Sequence, residues 1–188
     1  MTAVSLEKLN ALYATDDDPW NFRTSGYEQK KFEATRAALG RASYHAALEI
    51  GCGNGELARV LAPFCARYDG VDAVVTAITA ARLAVPDARF HHRMWPGPLP
   101  EGDYDLIVLS EVLYFIDAQG IAALAETIEA QWLKAEILCV TYLGDTGNTL
   151  QGEVALELFQ SNLVRRLSLM TSTEGYRIDR RMAVGDSA

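Results

Sequence analysis

A glycine-rich turn carries the clearest chemical signal in the sequence. Gly51, Gly53 and Gly55 end a short apolar run and lead directly into a helical pattern. Glycines at a strand-to-helix turn permit tight backbone conformations and let a ligand approach the main chain closely. Glu49 lies just before the turn, and its carboxylate favours a ligand that carries an ammonium group. The turn therefore predicts a binding site for a small ligand.

The spacing of the glycines separates two classes of ligand. The dinucleotide fingerprint G-x-G-x-x-G places a pyrophosphate at the N-terminus of the following helix. In this chain the third glycine, Gly55, comes one residue early, and Glu56 stands where the fingerprint has Gly or Ala. Because a carboxylate there would repel a pyrophosphate, the turn favours a nucleoside ligand without phosphates. A nicotinamide dinucleotide is the alternative.

A second carboxylate follows at a spacing that suits a ribose. Asp72 ends the predicted second strand, about 20 residues beyond the glycine turn. A carboxylate at that place can accept hydrogen bonds from both ribose hydroxyls. The alternative is that the glycines form only a turn and that Asp72 caps the next helix.

Strand and helix patterns alternate along most of the chain. Strands are predicted at 46–50, 66–72, 89–93, 104–110, 137–142, 164–170 and 176–184, and helices at 5–13, 25–39, 56–64, 75–84, 118–132 and 153–162. This order predicts an α/β fold with a doubly wound, mostly parallel sheet. The last two strands, joined by a short turn, predict an antiparallel terminal hairpin, with Arg180 and Arg181 on its exposed face.

Charge and composition argue against several classes of protein. The net charge of −8 disfavours nucleic-acid binding, which needs a basic surface. No apolar run approaches the ~20 residues of a membrane span, and the first residues lack the apolar core of a signal peptide. Cys52, Cys65 and Cys139 match neither a disulfide framework nor a zinc site, so we expect a cytoplasmic protein. His91 and His92 would point to opposite faces of a strand, and no metal is expected.

Two segments resemble a known enzyme superfamily. Residues 49–55 (EIGCGNG) and 104–113 (YDLIVLSEVL) resemble the first motif and the fourth-strand motif of class I S-adenosylmethionine-dependent methyltransferases. The resemblance covers about residues 46–184. It implies a seven-stranded, Rossmann-like sheet whose last strand is antiparallel, with S-adenosyl-L-methionine as the cofactor.

The same resemblance implies roles for the residues of the turn. Glu49, Gly51 and Gly53 would line the methionine part of the cofactor, and Asp72 would hold the ribose. Neighbouring positions expected to contact the cofactor are Cys52, Ala73 and Ser110. Cys52 is expected to serve as a small packing residue rather than as a nucleophile.

The segment after the third strand departs from the superfamily pattern. Methyltransferases of this class often carry an acidic residue there, which contacts the adenine amine. In this chain Arg93 stands in its place. We expect Met94 to contact the adenine through its backbone and Trp95 to pack nearby.

A narrower resemblance lies upstream. Residues 18–28 (DPWNFRTSGYE), together with Lys31, resemble the N-terminal segment of the nodulation protein S family. Members of that family N-methylate the deacetylated terminal glucosamine of chitooligosaccharides. We expect one domain, 1–188, in which a helical lid (1–45) covers a Rossmann-like core (46–188).

The lid carries three further candidate cofactor residues. Trp20, Arg23 and Tyr27 are predicted to fold over the cofactor, and the guanidinium of Arg23 suits a bidentate pair with the cofactor's carboxylate. The alternative is that Trp20 and Phe22 only fasten the N-terminal segment to the core.

Glu111 and Tyr114 are the candidate catalytic residues. Both follow the fourth strand, at the carboxyl edge where such sheets bind ligands. If the nucleophile is an amine, Glu111 could hold it or accept its proton. Alternatively, Glu111 caps the next helix and Tyr114 packs under the cofactor.

The sequence therefore predicts a methyltransferase that modifies an amine on a small molecule or oligosaccharide. A non-catalytic protein that binds an adenosyl ligand is the first alternative. An NAD-dependent oxidoreductase is the second.

Overall fold

A seven-stranded sheet forms the centre of the protein. The computed structural model describes residues 3–185. The strands are β1 (Tyr44–Ile50), β2 (Cys65–Asp72), β3 (Arg89–His92), β4 (Leu106–Ser110), β5 (Glu136–Tyr142), β6 (Ser168–Ser172) and β7 (Tyr176–Arg181). Their order in the sheet is β3-β2-β1-β4-β5-β7-β6, and β1 to β5 are parallel.

Helices cover both faces of this sheet. They are α1 (Leu6–Leu12), α2 (Gly26–Ala37), α3 (Glu56–Leu61), α4 (Val75–Ala84), α5 (Ala118–Trp132) and α6 (Gly152–Ser161). Apolar side chains of α5 and α6 pack on one face of the sheet, and those of α2, α3 and α4 pack on the other. A parallel sheet buried on both faces needs continuous apolar strands, and Leu106–Leu109 of β4 are fully buried. The doubly wound α/β prediction is confirmed.

The strand order reverses next to β1. The chain runs from β1 outward to β2 and β3, and then returns to place β4 on the other side of β1. Diverging connections at such a switch point leave a crevice at the carboxyl ends of the strands, where ligands of α/β proteins bind. The glycine turn that follows β1 lies at this crevice.

The terminal hairpin is confirmed. The structure also shows which of its two strands pairs with β5, which the sequence did not indicate. β7 pairs antiparallel with both β5 and β6, so the antiparallel strand is inserted and β6 forms the edge. β6 runs from Ser168 to Ser172, later than the predicted 164–170, because its register is set by pairing with β7. Arg181 on β7 is buried, which corrects the expectation that it faces solvent.

The N-terminal residues lie across the carboxyl edge of the sheet. Ser5 caps α1 by accepting a hydrogen bond from Lys8 N, and Ser25 caps α2 by accepting one from Glu28 N. Val4 N donates to Phe115 O, which ties the start of the described chain to the loop after β4. None of the helices within residues 3–185 has the length and apolar character needed to span a membrane.

Candidate functional site

A cavity of about 470 Å³ opens at the switch point. Every residue that we predicted from the sequence as a cofactor or catalytic residue lines it, except Arg23. Those that line it are Trp20, Tyr27, Glu49, Gly51, Cys52, Gly53, Asp72, Ala73, Met94, Trp95, Ser110, Glu111 and Tyr114. The fold therefore brings together residues that are up to 94 positions apart, from Trp20 to Tyr114.

The glycine turn has the backbone that only glycine adopts freely. Gly51, Gly53 and Gly55 have φ values of 80°, 51° and 82°. A Cβ on Gly55 would lie 2.9 Å from Ala81 Cα, so this glycine lets α3 and α4 pack closely. A Cβ on Gly53 would meet nothing closer than Tyr13 Oη at 3.4 Å, and this part of the turn is open to the cavity.

Asp72 holds the turn from the neighbouring strand. Its Oδ2 accepts a hydrogen bond from Gly53 N at 3.0 Å, and its Oδ1 accepts one from Val74 N at 2.9 Å. Burial raises the pKa of Asp72, and the backbone N–H donors oppose that rise. Each carboxylate oxygen can accept more than one hydrogen bond, so both oxygens still have capacity for ribose hydroxyls.

Glu49 is a fully buried carboxyl at the base of the cavity. Its Oε2 accepts a hydrogen bond from Tyr68 Oη at 2.9 Å. Burial raises the pKa of Glu49 to about 8, the hydrogen bond from Tyr68 opposes the rise, and the charge of Asp72 adds to it. An ammonium group in the cavity would favour the ionised form, so this position suits a cationic ligand.

Cys52 and the segment after β3 also line the cavity. Burial raises the pKa of the Cys52 thiol well above its usual value, which keeps it protonated. Arg93 Nη1 donates to Pro98 O, and Trp95 Nε1 donates to Gly120 O at 2.8 Å. The indole of Trp95 is thereby fixed against the start of α5, whereas Met94 is partly exposed.

At the carboxyl end of β4, which pairs with β1 and so lies beside the glycine turn, charged side chains meet from two elements. Lys31 of α2 places its Nζ 2.7 Å from Glu111 Oε2 and 2.8 Å from Glu28 Oε2. Glu111 has a φ of 53°, in the left-handed region, directly after β4. Burial raises the pKa of Glu111, and Lys31 opposes the rise.

Sequence reasoning did not identify Glu28 and Lys31 as site residues. The available signal was their spacing, because Glu28 and Lys31 lie one helical turn apart on the same face as Phe32 and Thr35. The structure shows that this face of α2 is buried. Charged residues on the buried face of a helix are uncommon unless they are paired. The helix prediction alone could not reveal their partner, Glu111, which lies 80 residues away.

Tyrosines surround the charged side chains. Tyr27, Tyr114 and Tyr142 line the same cavity. Burial, with the nearby charge of Glu111, raises the pKa of Tyr27 to about 12 and that of Tyr114 further still. Tyr27 and Tyr114 therefore keep their protons and can act as hydrogen-bond donors.

Arg23 is engaged outside the cavity. Its guanidinium nitrogens Nη1 and Nη2 donate to Asp17 at 2.7 and 2.9 Å, and Nε lies 3.4 Å from Glu56. A pair with the cofactor's carboxylate stays a prediction, and it would require Arg23 to leave Asp17. Trp20 stacks on Phe22 at 5.6 Å and meets Tyr13 edge-on at 5.4 Å, so it both lines the cavity and packs within the N-terminal segment.

The two adjacent histidines have separate partners. His91 Nε2 lies 2.9 Å from Asp69 Oδ1, and His92 Nε2 lies 2.9 Å from Ala73 O. Across residues 3–185, no three His, Cys, Asp or Glu side chains are grouped so that they could hold a metal ion.

The fold is that of class I S-adenosylmethionine-dependent methyltransferases. The chain belongs to the nodulation protein S (NodS) family, whose model matches residues 6–165. Nodulation protein S of Bradyrhizobium diazoefficiens is 34% identical over 106 residues, which are 53% of this chain and 50% of that protein. The chain thus spans about half the length of the first relatives it matches.

Two solved structures share the fold. The N-methyltransferase NodS of Bradyrhizobium japonicum WM9, in complex with S-adenosyl-L-homocysteine, has a TM-score of 0.77 at 19% identity. The superposition covers 93% of this chain and 96% of that one. The complex of DhpI with S-adenosylhomocysteine has a TM-score of 0.75 at 14% identity and covers 95% of both chains.

Proposed function

We propose that this protein is an S-adenosylmethionine-dependent N-methyltransferase whose acceptor is an amine on a glucosamine-type saccharide. The observation that carries the proposal is the cavity at the switch point. It is lined by Glu49, the glycine turn and Asp72, and also by Glu111 with Lys31. The membership of the nodulation protein S family, and the N-methyltransferase named among the structural neighbours, support an amine acceptor.

Glu49, the glycine turn and Asp72 fit the cofactor. The carboxyl of Glu49 would pair with the ammonium of the methionine part, and the open backbone at Gly53 would lie beside it. Asp72 would accept hydrogen bonds from the ribose hydroxyls. Met94 and Trp95 would form the adenine side, with no carboxylate at position 93.

Glu111, with Lys31 beside it, fits an amine acceptor. When bound, the cofactor supplies a methyl group on a sulfonium, and transfer forms an N–C bond while the C–S bond breaks with its electron pair going to sulfur. An amine that enters as an ammonium must first lose a proton, because only the free electron pair can attack. Glu111 would accept that proton. Orientation by the cavity walls supplies much of the remaining acceleration.

The test is transfer of labelled methyl groups from S-adenosylmethionine to glucosamine oligomers. N-acetylglucosamine oligomers of the same length serve as the matched control, since they lack the free amine. We expect label in the first set only. Binding of S-adenosylhomocysteine with no transfer to any amine would instead identify a non-catalytic binding protein.

Glu111→Gln tests the assignment of the proton acceptor. The amide keeps the shape of the side chain and loses the basic oxygen, so kcat/KM for the glucosamine oligomer should fall by about 100-fold. Glu126→Gln, on the exposed face of α5, is the control and should leave kcat/KM unchanged. A Glu111→Gln variant with wild-type kcat/KM would remove Glu111 from the mechanism.

The proposal includes a cytoplasmic location and no nucleic-acid partner. The three cysteines are unpaired, and the net charge is −8. Fractionation of the producing cells would test the location.

A further inference from the structure

A buried lysine lies between two carboxylates that line the cavity. Lys31 Nζ is 2.7 Å from Glu111 Oε2 and 2.8 Å from Glu28 Oε2, and it lies 5.3 Å from the centre of the Tyr27 ring. Only 2% of its side chain is exposed. Taking an ammonium out of water is costly unless charged partners compensate. A small or apolar residue could occupy this position at a lower desolvation cost, so the presence of a charged side chain needs an explanation.

The contact with Lys31 uses one of the two carboxylate oxygens of Glu111. Oε2 accepts the hydrogen bond from Lys31, whereas Oε1 is buried and has no hydrogen-bond partner within residues 3–185. Buried polar atoms nearly always have a partner, so an open acceptor beside a cavity indicates a place for a donor. Glu111 N donates to Val140 O at 2.9 Å, and its φ of 53° is unusual for a residue with a side chain. The direction of the carboxylate is therefore set by both the backbone and Lys31.

The charges in this cluster do not balance. Two carboxylates share a single ammonium, which leaves one excess negative charge when both are ionised. The other titratable groups that face Glu111 are Tyr27 on α2, Tyr114 after β4 and Tyr142 on β5, and Asp145 lines the same cavity. None of these adds a positive charge. Arg93, after β3, also lines the cavity, and its Nη1 donates to Pro98 O. An ammonium group entering the cavity would complete the balance.

This inference rests on the function proposed above: we propose that Lys31 is a positioning residue that binds Oε2 of Glu111 and leaves Oε1 to bind the acceptor's amine. The N–H bond of the acceptor's ammonium breaks, its electron pair stays on nitrogen, and the proton goes to Glu111 Oε1. Lys31 favours the ionised carboxylate before the acceptor arrives. It acts through Glu111 and does not touch the acceptor.

The first part of the test needs no methyl transfer. NMR titration of the protein labelled with ¹³C at the glutamate carboxyls follows Glu111, whose signal is identified by its loss in Glu111→Gln. Lys31→Met should raise the pKa of Glu111, because an attractive charge is removed and the repulsion from Glu28 stays. Glu28→Gln should lower it, because that repulsion is removed. Lys30→Met, the same substitution on the exposed neighbour, should leave it unchanged.

The second part measures kcat/KM for a glucosamine tetramer against pH. The acidic limb should move to higher pH in Lys31→Met and to lower pH in Glu28→Gln. It should stay near the wild-type position in Lys31→Arg, which keeps the charge. At pH 7, Lys31→Met should lose at least about 10-fold in kcat/KM.

The outcomes separate this inference from the proposed function. A wild-type enzyme that methylates the tetramer, with the same Glu111 pKa and pH profile in Lys31→Met and Glu28→Gln, would overturn the role of Lys31 alone. Should Lys31→Met not fold, Glu28→Gln decides, and an unchanged Glu111 pKa there has the same meaning. A wild-type protein that methylates no amine would overturn both.

Discussion

At the scale of single residues, two carboxyl groups on adjacent strands have different surroundings. Glu49 is fully buried and has one donor, Tyr68, whereas Asp72 receives two backbone N–H groups. The pKa of Glu49 is therefore raised to about 8. The carboxylate of Asp72 is instead held in place by hydrogen bonds from Gly53 N and Val74 N. This difference leads to separate predictions for the two residues.

Glu49→Gln should stabilise the protein without ligand, and the gain should depend on pH. The pKa of Glu49 is about 8 in the folded protein and 4.5 as the ordinary value. Because the folded pKa is raised, the favourable contribution of the protonated group is present below 4.5 and is lost as pH rises through 8. The loss amounts to at most roughly 1.4 kcal/mol per pH unit within that window. Urea unfolding at several pH values measures it.

The same substitution should weaken cofactor binding. The introduced amide would keep the hydrogen bond from Tyr68 but could not carry the charge that pairs with an ammonium, so affinity for S-adenosylhomocysteine should fall about 10-fold. Glu33→Gln, on the exposed side of α2, is the control for both measurements. Equal stability of wild type and Glu49→Gln at pH 5 and pH 8 would contradict the raised pKa.

Asp72→Ala should lower the affinity for S-adenosylhomocysteine by about 10-fold to 100-fold, since hydrogen bonds to a charged group contribute roughly 1.5–3 kcal/mol. Calorimetric titration measures the change. Asp87→Ala, on the exposed loop after α4, should bind like wild type. An Asp72→Ala protein with unchanged affinity would show that Asp72 only closes the turn.

Local motifs made it predictable that Glu49, the glycine turn and Asp72 lie together, whereas the contact of Lys31 with Glu111 depends on the fold. The turn, Glu49 and Asp72 lie within one βαβ unit, where spacing fixes their relation. Lys31 and Glu111 are 80 residues apart, and only the fold shows that they meet. The ion pair of Arg23 could not be predicted for a different reason. Its nearest partner, Asp17, lies in a loop, and a hydrophobic period does not describe the conformation of a loop.

At the scale of elements, the segment before α2 is fastened to the glycine turn by Asp18. This buried carboxylate accepts hydrogen bonds from Phe22 N at 2.8 Å, Arg23 N at 3.0 Å and Asn54 Nδ2 at 2.9 Å. It thus links a loop of the N-terminal segment to the side chain that follows Gly53. The position of Trp20 beside the cavity depends on this link.

Asp18→Ala should loosen the N-terminal segment and weaken cofactor binding. Phe22 N and Arg23 N would lose their acceptor, at a cost of about 1–3 kcal/mol for each buried group left unpaired, whereas Asn54 Nδ2 would keep Asp17 O at 3.3 Å. Hydrogen exchange should rise in residues 3–25 more than in the sheet. Glu7→Ala, on the exposed side of α1, controls for general effects. Exchange that rises equally throughout the protein would contradict a local anchor.

Periodicity revealed most elements and could not settle the sheet order at the end of the chain. The hairpin was visible as two strand patterns with a turn. Which of the two strands lies beside β5 depends on which of them buries more of its apolar side chains. Ile178 of β7 is fully buried, whereas Leu169 of β6 is 55% exposed. Packing against the helix layers determines which strand is buried. The pattern of a single strand carries no information about that packing.

At the scale of the whole molecule, a buried ion pair joins the last strand to α5. Arg181 Nη1 donates to Glu129 Oε1, which also accepts a hydrogen bond from Val164 N at 3.0 Å. The Arg181 side chain is almost completely buried, and burial lowers its pKa. The pair ties the terminal hairpin to the helix layer.

Arg181→Met should destabilise the protein by about 3 kcal/mol, because it leaves Glu129 as an uncompensated buried charge. Urea unfolding measures the change. The exposed pair of Arg166 and Glu157 provides the matched control, and Arg166→Met should have little effect. Adding Glu129→Met to Arg181→Met should restore stability in part. A double variant less stable than Arg181→Met would contradict this explanation.

The most direct test of the central claim is calorimetric titration of the purified protein with S-adenosylhomocysteine, with NAD as the control ligand. We expect one molecule of S-adenosylhomocysteine to bind per chain with micromolar affinity, and NAD not to bind. Binding of NAD alone would contradict the assignment of the glycine turn, Glu49 and Asp72, and with it the methyltransferase function.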